Sequence, residues 1–293
     1  MPNKVGLPSA AARYLVVNAD DFGASHSVNQ AVLRACRDGV LRSASIMAGG
    51  EAFEEAAMIA RGLPELSVGI HVTLVDGASV LAPSKIPGLV DGSGLFLESP
   101  AKAGMKYWLQ RGQLSGQIEA EIEAQFDRLE AAGIRPMHAD SHHHLHVHPV
   151  IFGVLCRVAA RRGVKWIRVP PGPFGAVTRL SGVPEWAVFK AFNFFHARTA
   201  RAQGLISPLT YGISRPGRVS ADYLIRLISK IGIISKKGGP VAEIFAHPDL
   251  AGSGEVEFLA LTSPAVREAI HLHGFTAAGF KDIGGRYKIA DTH

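Results

Sequence analysis

The side chains best suited to acid, base or metal chemistry in this sequence are two adjacent carboxylates, one strand histidine and a dense histidine run. Asp20 and Asp21 follow the apolar run Tyr14 to Val17, in the segment Asn18-Ala-Asp-Asp-Phe-Gly23. Neighbouring carboxylates after a buried strand are costly unless solvated, hydrogen-bonded or bound to a cation, although Asp is also common in plain polar turns. His71 lies in Val68-Gly-Ile-His-Val-Thr-Leu74, where a lone core imidazole is usually structural. The stretch His138-Ala-Asp-Ser-His-His-His-Leu-His-Val-His148 packs six histidines and Asp140 into eleven residues. If that stretch is extended, alternation sends His142, His144, His146 and His148 to one side, too many for a single ion. Catalytic metal sites commonly take three protein ligands and keep a position for water, and imidazole nitrogen and carboxylate oxygen both suit zinc. One aspartate and two histidines would suffice. The plain alternative is a solvated, tag-like run, against which its internal position after an apparent strand weighs. His247, in Ala246-His-Pro-Asp249, reads either as a turn residue or as a proton donor, since histidine titrates nearest neutral pH. Arg168, in Trp166-Ile-Arg-Val-Pro-Pro-Gly172, is either an exposed strand-end charge or the partner of a catalytic carboxylate.

For these residues to meet, the chain must bring distant segments to one face. Tyr14 to Asn18 reads as a buried strand, Asp20 to Gly23 as a turn, and Ser27 as the cap of a helix running to about Gly39. Leu41 to Met47 then reads as strand, Glu51 to Arg61 as helix and Ser67 to Leu74 as strand. A helix is expected over Gln117 to Ala132, ended by Gly133, with a short strand into His138 and a helix from Pro149 to Arg162. Lys165 to Val169 and Val241 to Phe245 read as later strands, followed by a helix from Ser263 to His273 and a last strand from Phe275 to Phe280. This alternation implies parallel strands with helices outside, and in such barrels reactive residues gather at the carboxyl ends of the strands. Asp20, Asp21, His71, the histidine run and His247 all fall at or beside such ends.

Of the 293 residues, 47% are hydrophobic and 19% charged, the profile of a globular chain with a substantial core. No linker composition, charge block or internal repeat divides it, so a single domain over 1–293 is expected, with a core of about 13–285. Cys36 and Cys156 sit far apart in apparent helices, which fits a reducing, cytoplasmic setting. No signal peptide is expected, and Arg226 and Lys230 break the best apolar run, Tyr223 to Ile234, before it could span a bilayer. The net charge of +6 is scattered, with no recognition-helix or aromatic RNA-binding signature, so a nucleic-acid partner is not expected.

Read together, Val17-Asn-Ala-Asp-Asp-Phe-Gly23, Gly69-Ile-His71, Asp140-Ser-His-His-His144, Ala246-His-Pro248 and Leu261-Thr-Ser263 resemble the YdjC-like carbohydrate deacetylases, which include chitooligosaccharide deacetylases. The resemblance implies an α/β fold of distorted TIM-like (β/α) barrel type. It further implies Asp21, His71 and His142 as metal ligands, Asp20 as general base, His247 as general acid and Arg168 as the arginine that orients the catalytic aspartate. The implied cofactor is a divalent metal, zinc first, with magnesium, manganese, cobalt and nickel also suited to such ligands. The implied reaction is hydrolysis of an N-acetyl group on an amino sugar.

A narrower resemblance, to the hopanoid-biosynthesis-associated branch, is carried by Gly69 to Gly77, Val80-Leu-Ala-Pro83 and Ile86-Pro-Gly-Leu-Val-Asp91. It implies a lipid-linked N-acetylglucosamine glycoside as substrate and peripheral contact with the inner face of the membrane. Trp186, Phe189, Phe192, Phe194 and Phe195 crowd one expected helix between Pro184 and Gly204, which reads either as barrel packing or as a lid or apolar wall for a lipid. Lys190, Arg198 and Arg201 would lie near anionic head groups. The competing readings are a soluble chitooligosaccharide deacetylase, a noncatalytic metal- or lipid-binding relative, and a metal-dependent phosphoesterase.

Overall fold

The first apolar run forms β1, Arg13–Phe22, and α1, His26–Asp38, follows it after a tight turn. The structure is a computed structural model describing residues 13–169, 185–211, 219–234 and 241–283, with the side chains of 185–193 and 234 outside the description. Then come β2 (Ser43–Ile46), α2 (Phe53–Gly62), β3 (Ser67–Val72), α3 (Pro100–Leu109), α4 (Arg111–Ala131), β4 (His138–Ser141), α5 (Pro149–Arg161) and β5 (Trp166–Ile167). The remainder is α6 (Glu185–Ala202), β6 (Leu209–Tyr211), α7 (Ala221–Ile234), β7 (Ala242–Ala246), α8 (Gly254–Thr262), α9 (Pro264–Leu272), β8 (Phe275–Ala277) and α10 (Phe280–Ile283).

The described strands form one parallel sheet in the order β5-β4-β3-β2-β1-β7-β6, with β8 beside the start of β1. Trp166 of β5 bridges Ile206, just ahead of β6, so the two edges of the sheet approach each other. The sheet is therefore curled, a distorted TIM-like barrel with helices outside. Every residue of β2, β3 and β4 is buried, as expected where both faces of a parallel sheet are covered. Parallel register brings the carboxyl ends of β1, β3, β4, β5 and β7 to one rim, which is where the reactive side chains stand. Cys36 and Cys156 are free and buried.

Three local readings are corrected. Asp20 to Gly23 is not a simple turn, because β1 continues through both aspartates to Phe22. The cap of α1 is Ser25, whose hydroxyl accepts the Val28 N–H at 3.2 Å, and not Ser27. The histidine run is not extended, because residues His142–Val147 form a 3-10 segment with left-handed backbone at His143 and His144.

Candidate active site

The geometry of the rim begins with an irregularity in β1. Ala19 pairs with Ala44 and Phe22 with Ile46, so β1 spends three residues where β2 spends two. Such a bulge bends the strand and re-aims its side chains. Asp21 takes φ 60° there, a left-handed conformation uncommon for a residue with a Cβ. Gly23 turns the chain with φ 96°, and its N–H is held by the buried Asn29 side chain at 2.8 Å. As a result Asp20 and Asp21 line the same cavity.

Asp21 meets two of the histidines. Its Oδ1 lies 2.7 Å from His142 Nδ1 and 3.1 Å from His71 Nε2. Burial opposes ionisation of Asp21, yet hydrogen bonds with His142 and His71 outweigh it and hold the carboxyl well below its usual range. On its other side His71 Nδ1 contacts Asp140 Oδ1 at 2.7 Å. Burial pushes His71 down, but the charge of Asp140 and hydrogen bonds with Asp140 and Asp21 raise its pKa to about 10. A carboxylate behind an imidazole fixes the ring and turns its other nitrogen outward, the arrangement usual for a histidine ligand.

Among the described residues three clusters have donor atoms within 4.8 Å of one another, and they differ in chemistry. Asp20, His71 and Asp140 are fully buried, and Arg168 faces both carboxylates, so a cation there would meet a fixed positive charge. Asp76, His142 and His143 are largely exposed, and the Asp76 and His143 side chains pair with each other at 2.9 Å. Asp21, His71 and His142 combine one carboxylate and two imidazoles, and among the described residues no lysine or arginine pairs with Asp21. The Asp21 side chain is 21% exposed, so solvent reaches the cluster. This third set fits a divalent ion that keeps an open position.

Arg168 is buried at the centre of the barrel mouth rather than exposed at a strand end. Its guanidinium donates to Asp20 Oδ2 at 2.6 Å and Oδ1 at 2.8 Å, contacts Asp140 Oδ2 at 2.8 Å and donates to Glu243 Oε1 at 2.7 Å. Burial works against its charge, but Asp140, Asp20 and Glu243 hold its pKa well above the ordinary value. The same contact acts on Asp20: burial raises its pKa, and the neighbouring guanidinium brings it below the usual carboxylate range. Asn18 Nδ2 donates to Asp20 Oδ1 at 2.8 Å and to Ser45 Oγ at 2.9 Å, and Ser45 donates to Asp140 Oδ2 at 2.7 Å. One bidentate cation thus fixes the aspartate that faces the cavity.

The YdjC-like protein family matches residues 14–271. The chain belongs to that family. A carbohydrate deacetylase of Brevibacillus brevis is 41% identical over 284 residues, covering 92% of this chain and 99% of the relative. A chitooligosaccharide deacetylase of an Enterobacter species is 31% identical over 285 residues, with 92% and 99% covered. The crystal structure of an Enterococcus faecalis protein named for cellobiose-phosphate cleavage matches with a TM-score of 0.74 at 23% identity, covering 93% of this chain and 99% of that one. That likeness bears on the fold.

In this YdjC-like protein the histidines of the run part company. His142 joins Asp21, and His143 turns outward to Asp76. His144 is pushed down to about 3 by burial and stands against Phe245, with ring centroids 4.8 Å apart. His146 is fully buried, with its N–H and its Nδ1 both on Ser141 Oγ. His148 borders Trp108 of α3. Left-handed backbone at His143 and His144 is what separates neighbours that an extended strand would have aligned.

His247 stands on the opposite wall of the cavity. Its Nε2 is 3.9 Å from Asp20 Oδ2, a gap that one bridging atom can span, and its Nδ1 is 4.0 Å from Glu257 Oε2. Glu257 is fully buried and also accepts the His247 and Val219 N–H groups. Glu243 and Glu257 escaped the sequence reading. Both leave a signal: Glu243 interrupts the apolar strand Ala-Glu-Ile-Phe-Ala, and Glu257 the apolar face of α8. A charge at a core position implies a buried partner.

Proposed function

We propose that this chain is a divalent-metal-dependent hydrolase that removes acetate from an N-acetylated amino sugar of the chitooligosaccharide type. The observation that carries the reading is the convergence of Asp21, His71 and His142 within 4.8 Å, with Asp20, Asp21 and His247 lining one cavity. The two deacetylase relatives, each covered to 99%, support the same substrate class. Asp21 Oδ1, His71 Nε2 and His142 Nδ1 would hold the ion, with zinc the first candidate. When bound, a divalent ion polarises an acetyl carbonyl and lowers the pKa of water.

The remaining work belongs to the side chains. Arg168 keeps Asp20 ionised and fixed, so that its carboxylate accepts a proton from the attacking water. His247, whose backbone N–H is held by Glu257, delivers a proton to the departing amine, and free amine and acetate leave.

A second reading, the lipid-linked N-acetylglucosamine glycoside, is favoured by Phe194 and Phe195, each 64% exposed on α6, with Arg198 and Arg201 exposed on the same helix. Lys190, Trp186, Phe189 and Phe192 lie where side chains are not described. No helix among the described residues is long and apolar enough to cross a membrane. The test is acetate release from chitobiose and from a glycolipid bearing terminal N-acetylglucosamine, in parallel, before and after chelation and zinc restoration. Metal-dependent release from chitobiose supports the first reading, and release from the glycolipid alone replaces it with the second. Release from neither, after zinc is restored, overturns both.

A further inference from the structure

The cavity beside Asp20 and Asp21 has a volume of about 300 Å³. That is the small end of ligand pockets, room for about one sugar ring rather than a chain. Its far wall is the turn from His247 to Gly254. A Cβ on Gly254 would stand 2.5 Å from Asp249 Cβ and 2.8 Å from His247 O, so only glycine lets the turn close this tightly. The turn is pinned by Asp249 N–H donating to Gly254 O at 3.2 Å. It is a fixed wall.

Asp249 lines the cavity from this wall, and its carboxylate is unusual in what it lacks. Oδ1 accepts the Ser27 hydroxyl from α1 and the Ala251 N–H at 3.2 Å, whereas Oδ2 has no partner among the described residues. An Asn would satisfy the same turn without charge. Asp instead adds a third carboxylate to a cavity that already holds Asp20 and Asp21, and the nearby guanidinium of Arg168 is spent on Asp20, Asp140 and Glu243. With Oδ1 held from the turn and from α1, Oδ2 keeps its acceptor capacity for a donor that enters the cavity, and a sugar hydroxyl is such a donor.

We infer that Asp249, immobilised by Ser27, is the specificity residue of a one-ring sugar subsite and accepts hydrogen bonds from ring hydroxyls of the N-acetylated pyranose. The inference rests on the deacetylase reading and adds to it what selects a sugar over any other acetamide. A hydrogen bond to an ionised carboxylate contributes about tenfold to hundredfold in affinity.

The test compares the zinc-loaded wild type, Asp249→Asn and Ser27→Ala on chitobiose and on N-acetylcyclohexylamine, which carries the same acetamide on a six-membered ring without hydroxyls. Asp249→Asn is expected to raise KM for chitobiose about tenfold or more, to leave kcat within about threefold, and to leave kcat/KM for the cyclohexyl compound unchanged. Ser27→Ala, which keeps the charge but frees it, is expected to raise the chitobiose KM by a smaller factor. Equal losses on both substrates, or no change on either, overturn the subsite. Calorimetric titration of chitobiose onto the same three proteins reads the subsite without turnover. If the wild type releases acetate from neither compound, the deacetylase reading falls, yet chitobiose binding that weakens tenfold in Asp249→Asn still supports the subsite and unchanged binding removes it. Should Asp249→Asn not fold, Ser27→Ala decides: a loss confined to chitobiose supports the subsite, and equal losses on both substrates or no change on either overturn it.

Discussion

In a regular strand neighbouring side chains leave opposite faces, so Asp20 and Asp21 could not both reach one cavity without the extra residue in β1. The bulge divides their surroundings as well. Asp20 faces a guanidinium and Asp21 faces two imidazoles, which gives the first a fixed charge and the second a cation-binding outlook. Asp20→Asn therefore removes the proposed base and spares the three proposed ligands. It is expected to lower kcat by about 10² to 10⁴ while zinc still binds with wild-type stoichiometry in calorimetry. A variant that also lost zinc would place Asp20 among the ligands. Arg168→Met belongs to the same scale, because it strands Asp20, Asp140 and Glu243 together with 0–1% exposure. Breaking a buried ion cluster on one side costs about 3–5 kcal/mol, and urea denaturation should show a loss of that size. A shift under 1 kcal/mol would mean that the three carboxylates are not held by Arg168.

The elements matter because each carries one of these side chains to the rim. Helix α1 is capped by Ser25, and its first turn holds Asn29 against Gly23 and Ser27 against Asp249. Ser25→Ala removes a cap worth about 1 kcal/mol, so Tm should fall by about 2 °C. Ser25→Asp should restore it, and a variant with unchanged Tm would show that the cap contributes nothing. The strands carrying Asp20 and His71, and the one that ends just before His247, were legible from the sequence because each is a mainly apolar run bounded by polar or turn residues. The missed elements lack that mark. Strand β6 is three residues long, α3 leaves Met105, Trp108 and Leu109 exposed and so shows no clean periodicity, and α8 opens on a glycine. The run from Tyr223 to Ile234, read only as too broken to span a bilayer, forms α7. Convergence of Asp21, His71 and His142 came from family resemblance, and spacing alone would have misassigned the histidines. Period-two reasoning assumed an extended chain, whereas His143 and His144 take left-handed backbone inside a 3-10 segment, which no apolar alternation encodes.

For the molecule as a whole, the barrel interior sets how stability responds to acid. His138 lies between Ser45 and Phe280, and burial lowers its pKa to about 4, while burial also holds His146 well below the ordinary value. In the unfolded chain both rings titrate near 6.5. Below that pH the unfolded state binds protons that the native state refuses, so stability is full above pH 6.5 and is lost as pH falls toward the folded pKa values. From pH 6.5 to about 4, His138 alone removes about 3 kcal/mol. His71 acts the other way near pH 6.5, since with a folded pKa of about 10 it is protonated in the native state while the unfolded ring is only half protonated, and its slope fades as the pH falls toward 5. The lowered carboxylates Asp20, Asp21 and Asp140 act at still lower pH, where the unfolded carboxyls take up protons. Between pH 6.5 and 5 the buried neutral histidines, His144 among them, therefore lower stability, opposed by Glu243 and Glu121, whose carboxyl pKa values burial raises. Urea unfolding of the chelated protein at pH 7, 6 and 5 should give a falling free energy, steepest between 6 and 5, at more than about 1 kcal/mol per pH unit. His138→Gln should make that slope shallower by about one histidine's share. A free energy that stayed flat from pH 7 to pH 5 would mean that these rings are solvated or protonated in the native barrel.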